Sequence, residues 1–144
     1  RSAALNMVLT STGAASAVAK CLPEMKGKLT GNAVRVPTPN VSMAILNLNL
    51  EKATTKDEIN DHLRQMSLNS PLQDQIDFMT SSELVSTDLV GSMHAGIVDS
   101  LATIVDQDRL VLYVWYDNEY GYSAQVIRLM QEISGLKMPL VPAA

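Results

Sequence analysis

The amino-acid sequence predicts an α+β fold, in which helices pack on one face of a largely antiparallel sheet. Helical patterns fall at the start, the middle and the end of the 144 residues, and strand patterns lie between them. Two of the strand patterns are separated by only a short polar turn, which favours pairing as a hairpin. The length fits a single domain over residues 1–144, since a chain of this size buries roughly two-thirds of its unfolded surface.

The first helix is predicted to follow Thr10-Ser11-Thr12-Gly13, because hydroxyl side chains are preferred at helix N-caps. Small residues continue to Cys21 and Leu22, so this helix is short and closely packed. Pro23 ends it. Residues 33–36 then read as a strand that closes at Pro37.

A longer strand and a helix come next. Residues 41–50 alternate between apolar and polar side chains, which is typical of a sheet with one buried face. Thr55 and Glu58 match a capping box, so a helix is expected from there to about Leu68. Its apolar stripe consists of Ile59, Leu63 and Met66.

The last third of the chain predicts shorter elements. Residues 72–76 suggest a short helix, and extended pieces are expected near Phe78 and at residues 84–85. Residues 97–105 and 110–116 should form a hairpin around the polar turn at 106–108. A final helix is expected with Ser123 as its cap, an apolar stripe and a left-handed Gly135 at its end. The stripe consists of Val126, Ile127, Met130 and Ile133.

Composition excludes several classes of function. The formal charge of −4, with no dense Lys/Arg cluster, argues against nucleic-acid binding. The apolar runs fall short of the ~20 residues that span a membrane. No secretory signal is recognised, so we expect a cytoplasmic protein. Cys21 is the single cysteine, and with only His62 and His94 beside it no metal site is expected.

Three positions suit ligand binding, each with an alternative. Thr12-Gly13 at a helix N-terminus suits an anion such as phosphate, although simple capping explains it as well. Arg35 lies among apolar strand residues and could hold a phosphate or carboxylate, or form a structural salt bridge. Asn118 could recognise another amide, or be a common turn residue.

No catalytic residue is predicted. Cys21 lies on the apolar face of the first helix, where a free cysteine behaves as a small hydrophobic residue. Neither His62 nor His94 has a sequence neighbour that marks it as a base. The sequence therefore offers ligand-binding groups without a nucleophile and base.

Four motifs in order resemble phosphorylating glyceraldehyde-3-phosphate dehydrogenase, in the C-terminal part of its catalytic domain. They span almost the whole chain, and the run of four makes the resemblance specific. The motifs are residues 11–15 (Ser-Thr-Gly-Ala-Ala), 22–29 (Leu-Pro-Glu-Met-Lys-Gly-Lys-Leu), 35–42 (Arg-Val-Pro-Thr-Pro-Asn-Val-Ser) and 115–123 (Trp-Tyr-Asp-Asn-Glu-Tyr-Gly-Tyr-Ser).

The resemblance implies a function for each candidate site. The family oxidises glyceraldehyde 3-phosphate through a cysteine thiohemiacetal, passes hydride to NAD and releases the acyl group to inorganic phosphate. By this resemblance Thr12 and Gly13 contact inorganic phosphate, and Arg35 holds a phosphate of the substrate. Asn118 hydrogen-bonds the nicotinamide carboxamide, and Tyr122 lies close to the nicotinamide ring. The complete enzyme is expected to be a homo-oligomer.

The resemblance also implies what this part of the enzyme lacks. The nucleotide-binding domain and the segment with the nucleophilic cysteine and its histidine would precede Arg1, so the chain is expected to be a fragment that is inactive alone and binds NAD weakly. Leu9 stands where many relatives have proline, and the arginine that completes the phosphate site would also precede Arg1. The alternative is a scaffold, reused or engineered, whose exposed sheet face forms a homodimer or binds another protein.

Overall fold

A computed structural model describes residues 2–136, which form two compact units that divide between Pro39 and Asn40. The expectation of one domain over residues 1–144 therefore stays a prediction. The first unit consists of β1 (Val8–Ser11), α1 (Ala14–Cys21) and β2 (Asn32–Arg35), with single 3₁₀ turns at Ala3–Leu5 and Pro23–Met25.

In the first unit, β1 and β2 pair antiparallel, so that Val8 lies opposite Arg35 and Ser11 opposite Asn32. The sequence did not predict β1, because its four residues run directly into the hydroxyl-rich helix start. The expected hydroxyl cap of α1 is wrong in detail. Gly13 is the N-cap residue and supplies no side chain, while Thr12 Oγ1 accepts from the Ala14 N–H at 3.3 Å.

The second unit is built on a mixed, largely antiparallel five-stranded sheet, and the predicted α+β fold is confirmed. Its strands are β3 (Ser42–Asn49), β4 (Ile76–Met79), β5 (Gly96–Asp99), β6 (Ile104–Asp106) and β7 (Arg109–Tyr116). They are ordered β3-β7-β5-β4, and β6 also pairs with β7. The β4–β5 pair is parallel and the other pairs are antiparallel. The helices of this unit are α2 (Lys56–Asn69) and α3 (Tyr120–Ser134).

The β3–β7 pair organises this sheet. Its register runs from Ser42 opposite Tyr116 to Asn49 opposite Arg109, so the start of β3 lies beside the end of β7. A small core forms below that end from Val41, Leu89 and Ile97, with Trp115 packed against it. The junction that follows β7 is thus anchored in the most buried part of the unit.

The local prediction for α2 is confirmed. The Glu58 N–H donates to Thr55 Oγ1 at 3.3 Å, and Glu58 Oε2 accepts from the Thr55 N–H at 3.0 Å. Hydrogen bonds from Thr54, and then from Thr55, hold the pKa of the Glu58 carboxyl below its usual value. The predicted stripe of Ile59, Leu63 and Met66 is half-buried.

Several predictions for residues 72–105 are wrong. Residues 72–75 form turns rather than a helix, and residues 84–85 precede a 3₁₀ turn at Ser86–Leu89 instead of forming a strand. The extended piece at Phe78 is confirmed as β4. The single strand expected at 97–105 is divided by a 3₁₀ turn at Ser100–Ala102, where the buried Ser100 hydroxyl donates to the Met79 carbonyl.

The hairpin turn and the end of α3 are confirmed, whereas the predicted start of α3 is wrong. β6 and β7 pair around Gln107, and Gly135 has the left-handed φ of 70° expected at a helix end. Ser123 lies inside the first turn and does not cap the helix. The predicted apolar stripe of α3 is exposed in this single chain. The exposed fraction of its residues ranges from 39% at Val126 to 78% at Ile133.

Candidate functional site

Asp117 lies at the junction between β7 and α3 and holds it together through hydrogen bonds. Its side chain is only 2% exposed and accepts four hydrogen bonds. The donors are the backbone N–H groups of Gly91, Glu119 and Tyr120, at 2.9, 2.9 and 2.8 Å, and Asn40 Nδ2 at 3.1 Å. These bonds, led by the Gly91 N–H, lower the pKa of Asp117 to about 2. An ionised Asp117 therefore ties a distant loop to the start of the helix.

Gly121 lets the first turn of α3 approach the loop before β5. A Cβ at this position would lie 2.8 Å from the His94 carbonyl oxygen and 3.4 Å from that of Ser92. Both atoms belong to the backbone, so neither can rotate away. Gly121 and Asp117 together set the position of the helix start, and sequence reasoning assigned a role to neither.

Asn118 follows Asp117 and is exposed at the same junction. Its Oδ1 accepts from the Ser42 hydroxyl at 2.8 Å, across the β3–β7 pair. Within residues 2–136 the structure shows no hydrogen-bond partner for Asn118 Nδ2, which carries two N–H donors. Tyr122, in the first turn of α3, has 72% of its surface exposed. Both predicted nicotinamide-contacting residues are accessible in the second unit.

Thr12 and Gly13 lie in the first unit, where β1 turns into α1. The half-buried Thr12 satisfies the Ala14 N–H, and Gly13 has open space beside it, since an added Cβ would meet only Ser16 Oγ at 3.9 Å. The next N–H groups of a helix start have no partner in the preceding turn. The geometry therefore combines capping with an open helix N-terminus that can accept an anion.

Arg35 lies on β2, which pairs with the strand that leads into that helix start. Its Nε donates to Thr10 Oγ1 at 3.1 Å, and Thr10 is the diagonal neighbour of Arg35 across the pair. The exposed side chain therefore extends along the ladder in the direction of Thr12. The structure shows no ion pair for Arg35 among residues 2–136, which leaves the terminal guanidinium nitrogens for an anion.

The two units differ sharply in charge. Residues 1–39 contain five basic residues and one acidic residue, for a formal charge of +4 in a chain whose total is −4. The unit that holds Thr12, Gly13 and Arg35 thus carries a net positive charge although the chain as a whole is acidic. Such a local field favours anions near this unit.

Comparison with known proteins decides the family. A family model described as the C-terminal domain of glyceraldehyde 3-phosphate dehydrogenase matches residues 1–118. The chain belongs to the glyceraldehyde-3-phosphate dehydrogenase family. The resemblance seen in the four sequence motifs is confirmed, and the matched region holds Thr12, Gly13, Arg35 and Asn118.

Individual members of the glyceraldehyde-3-phosphate dehydrogenase family are also similar to the chain. A glyceraldehyde-3-phosphate dehydrogenase-like protein of Pseudomonas aeruginosa (strain UCBPP-PA14) is 68% identical over 99% of the chain and 31% of that protein. The glyceraldehyde-3-phosphate dehydrogenase of Glossina morsitans morsitans is 48% identical over 91% of the chain and 39% of that enzyme. A glyceraldehyde-3-phosphate dehydrogenase of Trichormus variabilis is 46% identical over 93% of the chain and 40% of that enzyme. The chain thus spans two fifths or less of these relatives.

The remaining reactive residues of this family member are Cys21, His62 and His94. Cys21 is exposed at the end of α1, in a unit whose sequence contains no histidine. His62 is exposed on α2. His94 Nδ1 lies 3.9 Å from Asp77 Oδ2, in a groove of about 510 Å³ beside α2 and β4.

Residues 2–136 contain neither a membrane-spanning helix nor a cluster of metal ligands. The helices of this part of the chain are too short or too polar to cross a membrane. No group of three or more His, Cys, Asp or Glu side chains in the same residues could hold a metal ion.

Proposed function

We propose that the chain supplies binding residues for an NAD-dependent glycolytic glyceraldehyde-3-phosphate dehydrogenase. Thr12 and Gly13 bind inorganic phosphate, Arg35 binds a phosphate of glyceraldehyde 3-phosphate, and Asn118 and Tyr122 contact the nicotinamide of NAD. The complete enzyme is a cytoplasmic homo-oligomer. The family membership supports this assignment, and the single observation that carries it is the exposed guanidinium of Arg35, anchored to Thr10.

The phosphate role rests on both charge and geometry. Arg35 is held at one nitrogen and keeps its fork available, which is the arrangement that binds phosphate through two parallel hydrogen bonds. Thr12 and Gly13 add a helix N-terminus, where partial positive charge favours anions. The net positive charge of residues 1–39 acts in the same direction.

The nicotinamide role rests on the junction after β7. Asn118 presents amide donors to solvent, and a carboxamide oxygen is a matching acceptor. Tyr122 offers an exposed aromatic ring one helical turn further on. When bound, NAD supplies the hydride acceptor, while these residues bind and orient the ring.

We further propose that residues 1–144 have no dehydrogenase activity of their own. The reaction needs a thiolate close to a base, and by the family resemblance Cys21 does not match the nucleophile of the family, nor does His62 or His94 match its base. The expected result is no reduction of NAD when glyceraldehyde 3-phosphate and phosphate are supplied. Turnover that disappears in Thr12→Ala or Arg35→Ala would contradict this proposal.

Phosphate binding is tested separately by isothermal titration of inorganic phosphate into the purified chain. Loss of a charge-assisted hydrogen bond in Arg35→Gln should weaken binding about tenfold or more. Lys20→Gln is the matched control, because Lys20 is an exposed cation of the same unit and the substitution removes the same charge. Equal losses in the two variants would show that only net charge matters and would refute a specific role for Arg35.

A further inference from the structure

Ser42 and Asn118 are brought together only by the register of β3 and β7. Ser42 begins β3 and lies opposite Tyr116, the last residue of β7. Asn118 is two residues further along, 76 positions from Ser42 in the sequence, and its Oδ1 accepts from the Ser42 hydroxyl at 2.8 Å. This is the hydrogen bond that the structure shows for the Asn118 side chain among residues 2–136.

We propose that Ser42 is a positioning residue, which orients the Asn118 amide so that its NH₂ group faces the ligand. A side-chain amide presents either donors or an acceptor after a half turn about its last torsion angle. In the structure the Ser42 hydroxyl donates to the Asn118 oxygen, and in this orientation the NH₂ group is the part of the amide left for a ligand. The site is then built to donate to a carbonyl oxygen, and this step rests on the proposed nicotinamide contact.

The hydrogen bonds of the neighbouring residue Asp117 fix the backbone at Asn118 but do not fix the orientation of its side-chain amide. Asp117 anchors the junction through its four hydrogen bonds, so the backbone of Asn118 is held while its terminal torsion is free. Removal of the Ser42 hydroxyl would allow both orientations of the amide. Binding weakens in proportion to the fraction of the competent orientation that is lost.

The preceding residue, Val41, constrains the position of Ser42. Val41 has a φ of 69°, a conformation that is uncommon for a β-branched residue, and it is 7% exposed in the core with Leu89 and Ile97. Packing thus holds Val41 in a conformation that fixes how the chain enters β3. Ser42 reaches Asn118 from a rigid element rather than from a mobile loop.

Nuclear magnetic resonance of the 144-residue chain tests the orientation without ligand. The side-chain N–H vectors of Asn118 should be ordered in the parent and in Ser42→Thr, which retains the hydroxyl. In Ser42→Ala their order parameter should fall to about 0.6 or below, the range of flexible groups. Ser67→Ala is the control, because the Ser67 hydroxyl donates within α2 to the Arg64 carbonyl. Unchanged order in a folded Ser42→Ala variant would overturn the proposal.

Titration with free nicotinamide then measures the consequence for binding. Ser42→Ala should weaken the affinity by about two- to tenfold, and Ser42→Thr should restore it. If Ser42→Ala disorders the amide but leaves nicotinamide affinity unchanged, a binding role for Ser42 is refuted. Asn118→Ala distinguishes the two proposals: full nicotinamide affinity in that variant would refute the contact proposed for Asn118, while the order measurement still decides the role of Ser42 in orienting the amide.

Discussion

Gly121→Ala is the substitution that best tests how the junction is held together. The added methyl would lie 2.8 Å from the His94 carbonyl oxygen, whereas ordinary contacts of a methyl carbon are about 3.5 Å. The helix start or the loop must therefore move by roughly 0.5 Å or more. Because the obstructing atom belongs to the backbone, no side-chain rotation relieves the contact.

The expected magnitude follows from two opposing effects. Overpacking of this kind costs about 2 to 3 kcal/mol, while replacement of glycine by alanine within a helix contributes about 1 kcal/mol in favour of folding. The free energy of unfolding should therefore fall by about 1 to 2 kcal/mol. With a urea dependence of about 2 kcal/mol per molar, the unfolding midpoint should fall by roughly 0.5 to 1 M.

Urea unfolding followed by tryptophan fluorescence provides the assay. Trp115 is the single tryptophan, and it packs against the core of the same unit. Gly31→Ala is the control, because its Cβ would meet only Thr12 Cγ2 at 3.8 Å. A midpoint for Gly121→Ala equal to or above that of the parent would refute the reasoning, since it would show that the His94 loop moves aside at no cost.

Three further predictions concern stability. The pKa of Asp117 is lowered from 3.8 to about 2, so its stabilising contribution is complete above about pH 4 and is lost as the pH falls towards 2; urea midpoints across this range should fall less steeply in Asp117→Asn. Ile97 is only 1% exposed, so Ile97→Ala should lower the free energy of unfolding by about 2 to 5 kcal/mol. Ile97→Val should lower it by only about 0.5 to 1.5 kcal/mol, measured in the same assay. The buried Thr103 hydroxyl donates to Asn60 Oδ1 at 2.9 Å, so Thr103→Val should cost about 1 to 3 kcal/mol and Thr103→Ser much less; equal thermal stability of these two variants would contradict the role of this bond.

The sequence predicted the elements whose partners are close along the chain. The Thr55–Glu58 capping box joins residues three positions apart. Gly135 ends α3 through a hydrogen bond to the Glu132 carbonyl, also three positions away. The hairpin around Gln107 depends on a short polar turn between two β-rich runs. In each case the groups that form the hydrogen bonds lie in one short segment of the chain. The sequence of that segment alone therefore predicts the structure.

The candidate site residues were predicted through motifs rather than through geometry. Local reasoning named Arg35 and Asn118 as candidates with a salt bridge or an ordinary turn as alternatives, and the family resemblance assigned their roles. The structure shows no ion pair for Arg35 within residues 2–136 and places Asn118 at an exposed junction. Phosphate and nicotinamide contacts at these residues remain proposals that the titrations address.

Taken by itself, the sequence determined the fold class, the start of α2, the end of α3 and the family to which the chain belongs. Only the tertiary structure decided how the strand-to-helix junction is held. Asp117 accepts from Gly91 and Asn40, 26 and 77 positions away, and Asn118 accepts from Ser42, 76 positions away. Such partners depend on strand register and on backbone packing between distant segments, and no local pattern encodes either of them.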